Sequence, residues 1–306
     1  MSQPRQIAPG ATYLITRRVV RRHLLFRPDA AINQLLVYAL AVSARRYGVE
    51  VHAVCAMSTH LHLVVTDVQG VLPRFLQFFH RLVALGTKVL RQWEGPVWDH
   101  EATSLVRLLT HAAVVEKIAY VLANPAAAGL VRHAKEWPGV KVHAGELGVG
   151  MLHAPRPVVY FDPKNPQWIE ETTLPLTLPP GIEHDSAEAF RREVAAEIER
   201  QEALAHAELQ RQGLRFLGAE RASNVSPYAR ATSFEALRDR NPTFAVGREQ
   251  GDAWRIAAAA VRSFRASYRT ALGQWCAGVR SALFPAGTWW MRAFHGVLVN
   301  EAVLVV

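Results

Sequence analysis

The chain has 306 residues, half of them hydrophobic, and carries 35 Lys and Arg against 26 Asp and Glu, a formal charge of +9 with a pI of about 10. Its only cysteines, Cys55 and Cys276, lie far apart, which excludes a disulfide framework and a C-x-x-C zinc finger and suits a reducing compartment. No apolar stretch reaches the length of a membrane span, and the start Met1-Ser2-Gln3-Pro4-Arg5 lacks the apolar core of a signal peptide, so a soluble cytoplasmic protein is expected.

In chain order, residues 11–16 read as a strand, followed by the basic cluster Arg17-Arg18-Val19-Val20-Arg21-Arg22-His23. An amphipathic helix is predicted over 30–47, one or two strands over 51–65, and a second long helix over 72–93. A short strand at 104–108 precedes a helix over 111–124, which Pro125 is expected to stop at Asn124. Strand, helix, strand, helix, strand is a ferredoxin-like α+β order, an antiparallel sheet with helices on one face. Residues 1–150 are therefore expected to form one domain. The span 154–181 is rich in proline and reads as an extended connector wrapped on the first domain through Trp168, within a linker assigned to 151–185. Residues 186–306 are expected to be mainly helical and carry no recognisable motif. A charged helix begins at Ser186 as N-cap and reaches 212 with a solvated or coiled face. A helical stretch over 252–282 mixes Trp254, Phe264, Tyr268 and Trp275 with five arginines, which suits either a helical core with snorkelling arginines or a surface that stacks on bases. Residues 287–292 and 297–306 suggest a final strand pair or a docking segment.

Charge is unevenly shared. Residues 1–150 hold 17 Lys/Arg against 9 Asp/Glu, whereas residues 151–306 hold 18 against 17. A phosphate backbone rewards such an excess through counterion release, so a nucleic-acid partner is expected for the first half. Arg17, Arg18, Arg21 and Arg22 are candidates to line a groove, extended by Arg45, Arg46, Arg74, Arg81, Lys88 and Arg91.

The most informative stretch is His60-Leu61-His62 and the apolar run after it. Residues i and i+2 of a strand share a face, so the imidazoles form either a pair of metal ligands or a polar strand face. A binuclear zinc hydrolase would need further acidic and histidine ligands directly after the pair, where this chain has Leu63-Val64-Val65-Thr66. Some sixty residues on, Tyr120 and Asn124 stand four apart and so lie on one helical face. Taken alone they read as a half-buried aromatic and a helix C-cap.

Three pieces in register resemble one family. Ser58-Thr59-His60-Leu61-His62-Leu63-Val64-Val65, then Gly95-Pro96-Val97-Trp98, then Tyr120-Val121-Leu122-Ala123-Asn124-Pro125 with Ala128-Gly129-Leu130-Val131, resemble the single-tyrosine HUH transposases, above all the bacterial REP-associated tyrosine transposases. Thr12 to Arg18 and Leu25-Phe26-Arg27 look like that family's first strand and following loop, so the likeness spans roughly residues 8–145.

The resemblance implies a metal-dependent endonuclease and strand transferase acting on single-stranded DNA, at repeated palindromic hairpins. His60 and His62 would bind a divalent metal, Asn124 would be the third ligand, and Tyr120 would attack the scissile phosphate to leave a 5′-phosphotyrosine and a free 3′-OH. A phenol ionises only near pH ~10, so metal polarisation and placement must compensate. Imidazole and amide donors with phosphate suit Mg²⁺ or Mn²⁺ and leave Zn²⁺ open. Two departures stand out: Asp99-His100-Glu101 after Trp98, and Ala126-Ala127 after Pro125, both where relatives carry basic residues. Arg132 and Lys135 are candidates to replace them. These losses favour a second reading, a domesticated regulator that binds DNA hairpins without turnover. Either a monomer or a homodimer is compatible, with the tyrosine serving its own chain or a partner's.

Overall fold

The computed structural model describes residues 3–233, 242–248 and 250–301. Its centre is a sheet of five strands. The chain runs through β1 (Ala11–Arg18), α1 (Ala30–Tyr47), β2 (Val49–Met57), β3 (His60–Asp67), α2 (Leu72–Arg91), β4 (Ser104–Leu108) and α3 (His111–Ala127). The strand order is β2-β3-β1-β4-β7, with β7 (Phe244–Ala245) returning from far along the chain. The first four strands pair antiparallel, and β7 joins β4 in parallel.

Local chemistry sets the two helices that connect the strands. Asp29 caps α1 by accepting from the Ile32 amide at 2.9 Å, and Gly48 ends the helix in the left-handed region at φ 60°. The same carboxylate pairs with Arg27 and Arg91, each at 2.7 Å, which ties the start of α1 to the end of α2. Asp67 accepts from the amides of Val71 and Leu72, both at 2.8 Å, and so fixes the turn from β3 into α2. Where α1 and α2 cross, a Cβ on Gly86 would come within 2.4 Å of Leu35 Cδ1, so the close approach depends on that glycine.

The sheet is covered on both faces, not on one as expected. Neighbouring β1 residues point to opposite sides: the Thr16 hydroxyl meets His62, whose ring contacts Tyr120 of α3. The Arg17 guanidinium lies over Trp98, which contacts the His80 ring of α2. The reason is visible in the strands, where Thr12, Tyr13, Leu14 and Ile15 are all buried and β2 and β3 are buried almost throughout. A strand buried on both sides demands cover on both.

Helix α3 runs to Ala127, past the expected stop at Asn124. Pro125 removes one hydrogen bond only a turn from the helix end, while the Ala128 amide still reaches the Asn124 carbonyl at 2.9 Å. Burial of Asn124, Pro125 and Ala126 holds the last turn in place.

The proline-rich span is a hairpin rather than an extended connector. β5 (Met151–Pro155) pairs antiparallel with β6 (Glu171–Pro175), and both pack on α1. Tyr38 donates to the Ile169 carbonyl at 2.7 Å, and Trp168 packs between Phe78 and Phe161. Then α4 (Ala187–Arg211) packs along α3 through Phe190 and Val194, so its apolar side is covered. Ser186 does not cap it; its hydroxyl donates to the Glu183 carbonyl instead, at 2.9 Å.

Beyond lie α5 (Ala219–Asn224), α6 (Gly251–Cys276), β8 (Leu283–Phe284), α7 (Trp290–His295) and β9 (Leu298–Val299). The strand pair is β8 with β9, in parallel, over a small second core of Ala271, Ala282, Phe284, Met291 and Val297. Residues 287–292, read as part of a strand pair or a docking segment, form a turn and the start of α7 rather than a strand. Residues 302–306 of the expected strand lie outside the described residues. Among the described residues no helix is long and apolar enough to cross a membrane.

One buried titratable group inside the sheet gives a stability test. His52 on β2 is fully buried, with Nε2 2.7 Å from Thr66 Oγ1 and Nδ1 2.9 Å from the Thr177 carbonyl. Burial pushes its pKa down to about 4. Between about pH 6.5 and 4 the unfolded chain binds a proton that the folded chain refuses, so stability falls as pH drops through that window. Chemical denaturation across pH 4–7 should show a His52→Gln variant losing up to roughly 3 kcal/mol less than the parent over the window.

Candidate active site

The residues singled out on β3 and α3 come together. A two-residue turn, Ser58-Thr59, joins β2 to β3, so His60 and His62 start the second strand of a tight hairpin. The register sets His62 between Thr16 on β1 and Cys55 on β2, and His60 between Arg18 and Met57. The imidazole centroids are 4.6 Å apart and nearly perpendicular. His62 is 2 % exposed, whereas His60 is half-buried at the strand end.

Each ring is held through Nδ1. Thr16 Oγ1 lies 2.8 Å from His62 Nδ1, and Thr59 Oγ1 lies 2.9 Å from His60 Nδ1. On the other side of the His62 ring, Nε2 is 3.3 Å from Asn124 Nδ2. An amide N–H can donate there only if Nε2 keeps its lone pair, which places the proton on Nδ1, facing Thr16. That tautomer is the one that can ligate through Nε2. The Tyr120 ring packs edge-on to His62 at 5.4 Å and is half-buried, one helical turn before the buried Asn124. A phenol, two imidazoles and an amide therefore converge between β3 and α3.

The donor set bears on which cation fits. Among the described residues there is no group of three His, Cys, Asp or Glu able to hold a metal ion. Two imidazoles and, after an amide flip, the Asn124 oxygen make a partial shell. Such a shell fits a divalent ion that completes its coordination with water and phosphate oxygens, not a closed structural zinc site.

The basic residues are more scattered. Arg18 is the cross-strand neighbour of His60. Arg17 points to the opposite face, where its guanidinium donates to the carbonyls of Asp99, at 3.1 Å, and Glu101. It braces the loop after Trp98, so the structure does not bring it to the histidines. Arg21 and Arg22 both adopt left-handed φ, 46° and 57°. The Arg21 amide donates to Asp99 Oδ2 at 3.2 Å, and the Arg22 guanidinium reaches Ser233. Arg81 is exposed and Lys88 half-buried on α2, the helix across the sheet from the pair. Arg132 is exposed just beyond α3, where its carbonyl accepts from His206 at 2.7 Å.

The two departures noted in the sequence have partial local explanations. Ala126 is fully buried in the last turn of α3, where a basic side chain has no room, whereas Ala127 is exposed and nothing in the structure explains its lack of one. Glu101 is exposed, and its backbone carbonyl, not its carboxylate, meets Arg17. Sequence reasoning missed Thr16, Thr59 and His80. Thr59 is adjacent to the pair and was legible; Thr16 depends on a pairing between strands that no local pattern reveals. His80 lies by Trp98 with its Nε2 buried and unpaired, and burial together with Arg17 pushes its pKa down to about 3.

The hydroxyl bonds can be checked directly. Long-range ¹H–¹⁵N spectra of the imidazoles should show His62 as the Nδ1–H tautomer. Thr16→Val should shift it toward a mixture of tautomers while leaving His60 unchanged.

No protein-family model and no curated protein matches the chain. Among solved structures it is similar to a REP-associated tyrosine transposase bound to a REP hairpin, at 18% identity and a TM-score of 0.39, over 45% of this chain and 81% of that one. It is also similar to a protein from Deinococcus radiodurans R1 described as a "putative transposase", at 19% identity and a TM-score of 0.29, over 37% of this chain and 91% of that one.

Proposed function

We propose that the chain is a metal-dependent single-stranded DNA endonuclease and strand transferase of the HUH tyrosine kind, acting at hairpin-forming repeats. The observation that carries this reading is the convergence of Tyr120, His60, His62 and Asn124 between β3 and α3, with the His62 ring 4.6 Å from His60 and 5.4 Å from Tyr120. The order β2-β3-β1-β4, with α1 and α2 as crossovers, supports a ferredoxin-like nuclease core in residues 1–150. The span 151–185 is then its clasp and 186–306 an extension.

In this reading Tyr120 Oη attacks the scissile phosphorus, and the phenolic proton leaves to solvent. A tyrosyl–phosphate bond forms at the 5′ side while the bond to the 3′ oxygen breaks, and that oxygen takes up a proton. Because one ester replaces another, the reverse attack by a 3′-OH rejoins strands without an energy source. His60, His62 and the Asn124 amide oxygen would hold Mg²⁺ or Mn²⁺, which when bound polarises the phosphoryl oxygens. Thr16 and Thr59 keep the imidazoles in one orientation, and α3 presents Tyr120 from a buried helix, which lowers the entropic cost of placing the nucleophile. Arg18, Arg21, Arg22 and Arg132, with Arg17, Arg81 and Lys88 further off, are the proposed phosphate contacts.

A second reading, a hairpin-binding regulator without turnover, draws on Glu101 and on Ala126-Ala127. One assay separates the two: Mn²⁺-dependent cleavage of single-stranded hairpin libraries by the parent, Tyr120→Phe and His62→Ala. A covalent protein–DNA adduct is expected with the parent. EDTA and Tyr120→Phe should abolish it, and His62→Ala should slow its formation on the order of a thousandfold. Hairpin binding without any adduct would overturn the endonuclease and leave the regulator.

A further inference from the structure

Helix α6 carries a second charged surface, remote in sequence from the histidine pair. Residues 250–301 hold six arginines and no lysine against two carboxylates, Asp252 and Glu301. The preceding stretch, 151–249, holds 12 Lys/Arg against 15 Asp/Glu. The near balance of the second half therefore hides a basic segment behind an acidic one.

The arginines are ordered. Arg255, Arg262 and Arg269 recur every seven residues, two helical turns, and so share one side of α6. All three are exposed. Ala259 and Ala266 stand between them on the same side and Gly273 follows Arg269, all exposed, and an added Cβ on Gly273 would meet nothing within 4 Å. The adjoining row presents Ser263, Ser267 and Thr270 to solvent. Of the three, only Arg255 has a carboxylate partner among the described residues, Asp252 at 2.9 Å, and both side chains are largely exposed. Such a pair contributes little and exchanges readily for another anion.

The aromatic residues of α6 face elsewhere. Trp254 lies against Phe244 at 6.3 Å, Tyr268 against Phe284 at 5.5 Å, and Trp275 carries the Arg280 guanidinium at 4.4 Å. Tyr268 and Trp275 are half-buried; Trp254 is 55 % exposed but lies about 100° round the helix from Arg255, so the row itself holds no stacking platform for splayed bases. The remaining chemistry is phosphate recognition: fixed cations, hydroxyl donors, and small residues that admit a backbone close to the helix.

We propose that this face of α6 binds the sugar–phosphate backbone of double-stranded nucleic acid, independently of sequence. Arg255 to Arg269 spans about 21 Å of helix, which matches roughly six base pairs of regular duplex. A rigid row of charges suits a rigid array of phosphates, whereas a single strand would need aromatic faces within the row, where only Ala259 and Ala266 stand between the arginines. The inference stands on the charge pattern and does not depend on Tyr120 being a nucleophile.

The test measures the affinity of the full chain for a 20-base-pair duplex of arbitrary sequence and for a 20-nucleotide oligo(dT), by fluorescence anisotropy over a salt series. Variants are Arg255→Gln/Arg262→Gln/Arg269→Gln, the corresponding triple Lys replacement, and Tyr120→Phe. The Gln triple should weaken duplex binding at least tenfold at low salt and reduce the slope of log K against log salt by about 2–3. Its thermal midpoint should stay that of the parent, since the side chains are exposed. The Lys triple should retain most of the affinity and slope, and Tyr120→Phe all of it. Unchanged affinity and slope in the Gln triple would overturn the proposal. An equal loss on oligo(dT) would overturn the assignment to duplex.

Discussion

A single line of hydrogen bonds, Thr16 to His62 to Asn124, crosses the interior from β1 through β3 to α3. It runs through apolar surroundings, where an unpaired polar atom costs about 1–3 kcal/mol. Each member is therefore constrained by the next. Thr16 requires β1 to pair with β3 in its observed register, and Asn124 requires α3 to lie with its last full turn over His62. Slipping β1 by one residue would replace the hydroxyl with Ile15 or Arg17 and turn every side chain of that strand to the other face.

That constraint clarifies why the surrounding elements are arranged as they are. Helix α3 must continue through Pro125 to hold Asn124 inside a turn rather than at a frayed end. Helix α4 packs along α3 and covers the side turned away from the sheet. The α4 helix is charged over most of its surface, yet Phe190 and Val194 are buried, which is sufficient to seat it. On the opposite side of the sheet, Asp29 gathers Arg27 and Arg91, and Arg17 with Trp98 and His80 fills the space beside α2. The basic residues nearest the sheet thus divide between bracing the fold and facing solvent, a division that charge counting does not reveal.

Much of the first half was legible because its signals are local. The span of α1 follows from Asp29 and Gly48, and β4 from its short apolar run. The shared face of His60 and His62 follows from strand alternation alone. What was not legible depends on contacts distant in sequence. Two-sided burial of the sheet requires knowing that α3 returns to its second face. The proline-rich span looked like a linker because proline blocks helix, but Met151–Pro155 and Glu171–Pro175 find each other as a hairpin, with α1 as their platform. In α6 the composition was ambiguous between a core and a surface. The observed burial separates the exposed arginine row from Phe264 and Tyr268, which pack inward.

The parallel pairing of β7 with β4 also bears on how the chain reaches its final form. The Arg107 and Leu109 amides donate to the Thr243 and Ala245 carbonyls, each at 3.0 Å, so one edge of the sheet is closed by residues more than 130 positions downstream. During synthesis from the N-terminus, β4 is complete long before its neighbour emerges from the ribosome. Its outward amides and carbonyls must wait in water through that interval, open to any passing extended strand. That edge therefore closes only after the other four strands of the sheet are complete.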